Sequence, residues 1–139
     1  MGDAPYFLDE QVGYLLRLAS QRHAAIFQTH APGGLTPTQF SALLRLHKHG
    51  NCSQNQLGRL AAMDVATIKG VVDRLRHKGL ITAQPDPDDK RRMLITLSDQ
   101  GRALVDDLKA VGHRITRETL APLSVTERDT LLRALAKLG

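Results

Sequence analysis

The chain has a single cysteine, Cys52, among its 139 residues. One thiol excludes an intramolecular disulfide framework. No cation stands beside it to activate it, so Cys52 reads as a small buried residue. No apolar run approaches the roughly 18 residues of a membrane-spanning helix. The opening MGDAPYFLDEQ lacks the basic and apolar regions of a signal peptide. A cytoplasmic protein with no membrane partner is expected. There is also no glycine-rich phosphate loop, no Ser or Cys nucleophile signature and no paired-carboxylate motif, so nothing supports catalysis. Six histidines are present. His47 and His49 stand two apart in a helical stretch and face different ways, and no Cys or carboxylate joins them in a zinc-like pattern. No metal or cofactor is expected.

What is present is a globular composition, 42% hydrophobic and 24% charged, on a chain long enough for one domain and one useful core. The formal net charge is +5 and the pI about 9.8. Residues 53–97 carry 8 Lys/Arg against 5 Asp/Glu, whereas residues 1–52 hold 4 against 3 and residues 98–139 hold 7 against 6. Most of the surplus thus lies in the middle of the chain. That placement suits a nucleic-acid partner, although an ordinary basic surface fits the count equally well.

The central segment from Ser53 to Ser98 predicts two short helices in tandem followed by a charged hairpin. Ser53-Gln54-Asn55-Gln56 has the spacing of a capping box, and Leu57, Leu60 and Ala61 share one helical face. Met63-Asp64 breaks that helix, and Asp64 caps the next. There Ile68, Val71, Val72 and Leu75 recur at core spacing, with Thr67, Lys69, Gly70, Asp73, Arg74 and Lys78 on the other side. Gly79 is a C-terminal stop. Leu80–Ala83 and Met93–Leu97 read as paired strands around a turn rich in Pro and Asp that ends in Lys90-Arg91-Arg92. Together these make a winged helix-turn-helix, which places one helix in a DNA groove and a loop beside it.

The segments VATIKGVVDRLRHKGLI and DPDDKRRMLITLSDQG resemble the MarR family of bacterial transcription regulators, and the likeness extends over essentially the whole chain. The resemblance implies a mainly α fold with a small β-hairpin wing: a winged helix-turn-helix over 36–97, with N- and C-terminal dimerisation helices over 8–30 and 99–138, in a single domain of residues 1–139. Members often carry Thr then Arg where this chain has Lys69 and Gly70, so their operator sequences do not transfer. Some members sense peroxide through a cysteine near the start of the first helix; that region has none here.

The flanks read as helices too. Residues 1–7 are expected as a loose arm. A helix then runs from about Asp9 to His30, with Val12, Leu15, Leu16, Ala19, Ile26 and Phe27 as its stripe, and Ala31-Pro32-Gly33-Gly34 ends it. Thr36-Pro37-Thr38-Gln39 opens a helix with a capping box and Pro in the first turn, burying Phe40, Leu43, Leu44 and Leu46. Asn51-Cys52 has the character of a brief edge strand. Ser98 caps a helix over Asp99–Thr119 with a stripe of Leu104, Leu108, Val111 and Ile115. Ser124–Glu127 is another capping box, and Leu131, Leu132, Leu135 and Leu138 line the last helix. Such apolar terminal helices suit a two-fold dimer interface, which the resemblance also implies; an intramolecular helical layer is the alternative.

Thr67, Lys69, Gly70 and Arg74 are the major-groove candidates, since Arg74 can be bidentate to guanine and Lys69 can reach guanine or phosphate. A solvated helix face is the alternative, and the wing motif weighs against it. Ser53, Gln54 and Gln56 at a helix N-terminus suit phosphate positioning, though capping explains Ser53 as well. By resemblance Arg91 enters the minor groove with Asp89 holding its guanidinium, and a narrow A·T groove attracts such a cation. Lys90 and Arg92 then meet phosphates. Family members often bind small aromatic acids or phenols, which makes Arg17, His23 and His47 candidates for holding a carboxylate. Against that, Arg17 and Arg22 suit intersubunit salt bridges and His23 a packed surface. The reading is a homodimeric repressor of a pseudo-palindromic double-stranded operator, released by a small aromatic or anionic effector. The alternative is a winged-helix protein-interaction module without specific DNA binding, which would more often show an apolar recognition face.

Overall fold

The computed structural model describes residues 4–139. The helices are α1 (Val12–His30), α2 (Pro37–His49), α3 (Gln54–Leu60), α4 (Val65–His77), α5 (Asp99–Thr119) and α6 (Val125–Leu138), and the strands are β1 (Cys52–Ser53), β2 (Ile81–Pro85) and β3 (Met93–Leu97). The expected loose arm falls partly on residues 1–3, outside the described residues; residues 4–7 are exposed and lack regular structure. The chain divides into two compact units, residues 31–111 and residues 1–30 with 112–139. None of the helices among the described residues is long and apolar enough to cross a membrane.

In the unit of residues 31–111, local signals open each helix. Thr36 Oγ1 accepts the Gln39 N–H at 3.3 Å while Gln39 Oε1 accepts the Thr36 N–H at 3.3 Å. Gln39 is buried and Thr36 exposed, so the box closes at the margin of the core. Thr36→Ala should cost about 1 kcal/mol, seen as a thermal midpoint lower by about 4 °C; an unchanged midpoint would show that Pro37 alone starts the helix. Asp64 Oδ1 accepts the Thr67 N–H at 2.7 Å at the start of α4. Gly79, at φ +76°, ends that helix in a left-handed conformation that a Cβ would strain.

The sheet is antiparallel in the order β1-β3-β2, with Cys52 opposite Ile95 and Ile81 opposite Leu97. It differs from the expected hairpin in two ways. The edge strand is Cys52–Ser53 rather than Asn51-Cys52, and β2 runs Ile81–Pro85 rather than Leu80–Ala83. Pro85 is tolerated because β2 is an edge strand, where a missing N–H costs no ladder bond. Leu43, Leu57, Ile68, Leu75, Ile95 and Leu108 are almost fully inaccessible and form one core with Val72, Val105 and Cys52. Burial pushes the Cys52 thiol pKa up, the opposite of an activated cysteine. Phe40 and Leu44 are only half-buried, at the margin of this core.

One further expectation needs correction. Ser53 Oγ accepts the Gln56 N–H at 3.2 Å, but the Gln56 side chain does not reach back to close the box. Ser53 also belongs to β1, opposite Leu94, and Gln56 Nε2 lies instead 3.2 Å from His49 Nε2.

In the other unit, Phe27, Ile115 and Leu120 are buried. Much of the expected apolar stripe is not: Val12, Leu15, Leu16 and Ala19 of α1 and Leu132, Leu135 and Leu138 of α6 are exposed in the single chain. The carbonyls at the C-terminus of α5 are capped by a side chain whose role the spacing did not show. Arg22 donates from Nη2 to Glu118 O at 2.8 Å and from Nε to Thr119 O at 3.2 Å, a favourable place for a cation. His30 Nε2 donates to Glu118 Oε2 at 2.7 Å, and Arg114 Nε to Glu118 Oε1 at 3.2 Å.

The His30 hydrogen bond, then the Arg114 one, hold the Glu118 carboxyl below its ordinary value of 4.5. A carboxyl lowered in the folded state stabilises above its unfolded pKa, and that contribution disappears as pH falls through the folded one. The stability gap between wild type and Glu118→Gln should therefore be widest near neutral pH and close below about pH 4. Thermal unfolding of both proteins across that range checks it. A gap independent of pH would place the effect in packing.

Candidate nucleic-acid interface

Two surfaces of the 31–111 unit carry the candidate contacts. On α4, Ile68, Val71, Val72 and Leu75 face the core, as their spacing requires. Thr67, Lys69, Asp73 and Arg74 are thereby exposed, with Gly70 partly so. The Thr67 N–H hydrogen bond holds the Asp64 carboxyl below its ordinary value of 3.8, so the cap is ionised at neutral pH. Lys69 Nζ donates to Asp73 Oδ2 at 3.2 Å across one helical turn. Exposed pairs of this kind are weak, so Lys69 remains available to a stronger anion. The Arg74 side chain has no hydrogen-bond or ion-pair partner among the described residues.

The spacing also missed Val65. It is the first residue of α4 and 68% exposed, a large apolar group two residues before Thr67. The signal was present as a β-branched residue directly after an N-cap. N-terminal residues of a recognition helix meet base edges, and a methyl-bearing side chain there can meet a thymine methyl.

The wing is a built turn. Asp86 is buried, and its Oδ1 accepts the Asp88 N–H at 2.8 Å. The Asp86 N–H donates to Arg92 O at 2.9 Å, and the Arg92 N–H to Asp89 O at 2.9 Å. Arg92 Nε stands 3.8 Å from Asp86 Oδ2. At the tip, Arg91 Nε donates to Asp89 Oδ1 at 3.1 Å and Nη2 to Asp89 Oδ2 at 3.4 Å, while the Arg91 N–H also donates to Oδ1. These bonds hold the Asp89 carboxyl below its ordinary 3.8. The Arg91 side chain is 91% exposed all the same. Two-point contact with one carboxylate orients a guanidinium without covering it. Lys90 is exposed beside it. The role of Asp86 was read from sequence only as part of a turn.

Ser53, Gln54 and Gln56 are half-buried at the start of α3, with Ser53 and Gln56 engaged as described above. The effector candidates fall on different units. Arg17 lies exposed over the Tyr14 ring, 5.4 Å from its centroid, and His23 Nδ1 is 3.0 Å from Thr119 Oγ1. His47 belongs to the 31–111 unit, where it lines a cavity of about 590 Å³ with Phe40, Ser41, Leu44, Arg45, Lys48 and Lys109. Cations around an apolar floor suit a flat anion. No cluster of three or more His, Cys, Asp or Glu side chains that could hold a metal occurs among the described residues.

Comparison with known proteins agrees with this architecture. The family model described as MarR family matches residues 35–93. The transcriptional repressor NicR of Pseudomonas putida is 40% identical over 99% of this chain and 88% of its own length. A probable transcriptional regulator from Pseudomonas aeruginosa is 54% identical, with a TM-score of 0.92 over 96% of this chain and all of that one. BpsR of Bordetella bronchiseptica, whose DNA binding is regulated by 6-hydroxynicotinic acid, is 41% identical, with a TM-score of 0.90 over 97% of each chain. A relative 40% identical across nearly the whole chain, together with a family match on the helix-turn-helix and wing, identifies this protein as a transcriptional regulator of the MarR family.

Proposed function

We propose that the protein is a homodimeric repressor that binds a pseudo-palindromic operator and leaves it when a small aromatic carboxylate or phenol binds. The observation that carries this reading is the wing, where Asp89 holds an exposed Arg91 beside a unit whose α4 presents Thr67, Lys69, Gly70 and Arg74. In this reading α4 enters the major groove, Arg91 the minor groove, and Lys90, Arg92, Ser53, Gln54 and Gln56 lie along the phosphates. Val65 meets a thymine methyl. The exposed leucines of α1 and α6 support a second copy of the chain as the partner that covers them.

Repression and release follow from differential affinity. An effector that binds better to a dimer whose recognition helices are wrongly spaced shifts the population away from DNA by that difference and no more. The likeness to NicR, a repressor, supports repression, and the likeness to BpsR, whose DNA binding is regulated by 6-hydroxynicotinic acid, supports an aromatic acid as the signal. Arg17, His23 and His47 are the candidates for its carboxylate.

The test is selection of random duplex DNA by the purified protein, then binding remeasured with aromatic carboxylates, 6-hydroxynicotinic acid included. Expected is a site with half-sites about one turn, 34 Å, apart, weakened by one compound and insensitive to it after Arg17→Ala or His23→Ala. A site that no compound weakens would remove the effector from the reading. No enrichment above salt-sensitive background would leave a protein-interaction module instead.

A further inference from the structure

We infer that Gly70 is a positioning residue for Arg74, kept bare so that the Arg74 guanidinium can lie back over the middle of α4, and that it thereby sets which base Arg74 reads. The inference rests on the DNA-binding reading above and adds a specificity determinant to it. Glycine is among the poorest helix formers, yet Gly70 sits inside a 13-residue helix with ordinary caps at each end. Side chains on a helix lean toward its N-terminus, so residue 74 covers the turn that contains residue 70. A Cβ at position 70 would stand 3.0 Å from Arg74 Nη1 and 3.9 Å from Cζ, with nothing else within 4 Å. The guanidinium therefore fills the volume that any other residue at 70 would claim.

The neighbouring charges leave it free. Asp73 is occupied by Lys69, and the Arg74 side chain has no hydrogen-bond or ion-pair partner among the described residues. A planar cation laid along the exposed face and without a protein acceptor is available to the two acceptors of a guanine edge. Adding a methyl at 70 displaces only the far end of a flexible side chain, which is cheap for the fold. It changes where the guanidinium rests.

The experiment uses the full chain as wild type, Gly70→Ala, Arg74→Ala and the double variant. Each is measured against the selected operator and its single-base replacements. The Arg74 Nε–H is followed by NMR relaxation without DNA. Gly70→Ala should keep the fold, with a thermal midpoint equal to wild type or about 2–4 °C higher. It should lose roughly tenfold discrimination at one guanine per half-site, and show a more mobile Arg74 Nε–H. In the Arg74→Ala background the same change at 70 should have no further effect on discrimination. Three results overturn the inference: unchanged discrimination in Gly70→Ala, an equally mobile arginine in both proteins, or the same loss persisting without Arg74. The last would mean that Gly70 serves close approach of the helix backbone to DNA. Failure of the wild type to select any site would overturn the DNA-binding reading first, and is seen before a variant is made.

Discussion

Gly101→Ala is expected to destabilise the helix-turn-helix unit by about 3 kcal/mol, against the roughly 1 kcal/mol gain that helix propensity alone predicts. Gly101 is buried in the first turn of α5, where a Cβ would stand 2.1 Å from Leu80 O, 3.1 Å from Leu80 C and 3.3 Å from Leu97 Cδ2. The first two are backbone atoms and cannot swing aside. They are also held: Leu80 O accepts the Ser98 N–H at 3.0 Å, Ser98 Oγ donates to Gly79 O at 2.6 Å, and the Gly101 N–H donates to Ser98 Oγ at 3.0 Å. Making room for one methyl must open this junction between the end of α4, the start of β2 and the cap of α5. Overpacking costs about 1–3 kcal/mol, and a disturbed buried hydrogen bond adds about 1 kcal/mol. A midpoint about 10 °C lower follows for a chain of this size. Gln100→Ala, on the exposed side of the same turn, should change stability by less than about 0.5 kcal/mol. Equal midpoints for Gly101→Ala and wild type would show that α5 is not seated so closely on Leu80.

The second large effect concerns the wing. Arg91→Ala should weaken operator binding by roughly 10–100-fold per half-site and flatten the salt dependence by about one counterion at each wing. The side chain is exposed, and among the described residues its hydrogen bonds go to Asp89 alone, so its removal should leave the thermal midpoint within about 2 °C. Loss of binding without loss of fold is the signature of a contact rather than of a scaffold. Asp89→Asn separates charge from orientation. It leaves Arg91 cationic but weakens the two-point hold, so affinity should fall by less than in Arg91→Ala while the salt slope stays at the wild-type value. Binding titrations over a range of salt concentrations read both quantities. If Arg91→Ala binds like wild type, the wing does not enter a groove.

Gly70 and Gly101 show how legibility divides. Both stand within helices, and composition and spacing treat them alike. Gly70 faces the far end of a long side chain and Gly101 faces a carbonyl oxygen, so the same substitution has opposite expected signs. Neither contact is visible in a pattern of apolar residues. The dimer-type stripe divides differently. The leucines of α1 and α6 were readable as apolar faces, but a helical period does not say whether the chain covers them itself; the structure leaves them exposed in the single chain.

The amino-acid sequence alone determined the order and type of the main elements, the tandem helices, the position of the wing and the caps at Thr36, Asp64, Ser98 and Ser124. Each depends on interactions within about four residues, which spacing records. It also determined the family, because the wing and recognition-helix segments are contiguous. Only the tertiary structure decided that Gln56 turns to His49, that Arg22 caps α5, that His30 lowers the Glu118 carboxyl, and that α5 rests on the Leu80 carbonyl through Gly101. These join residues from 7 to 97 positions apart. Such pairs form because packing brings two backbones together, and no local period encodes which distant atom arrives.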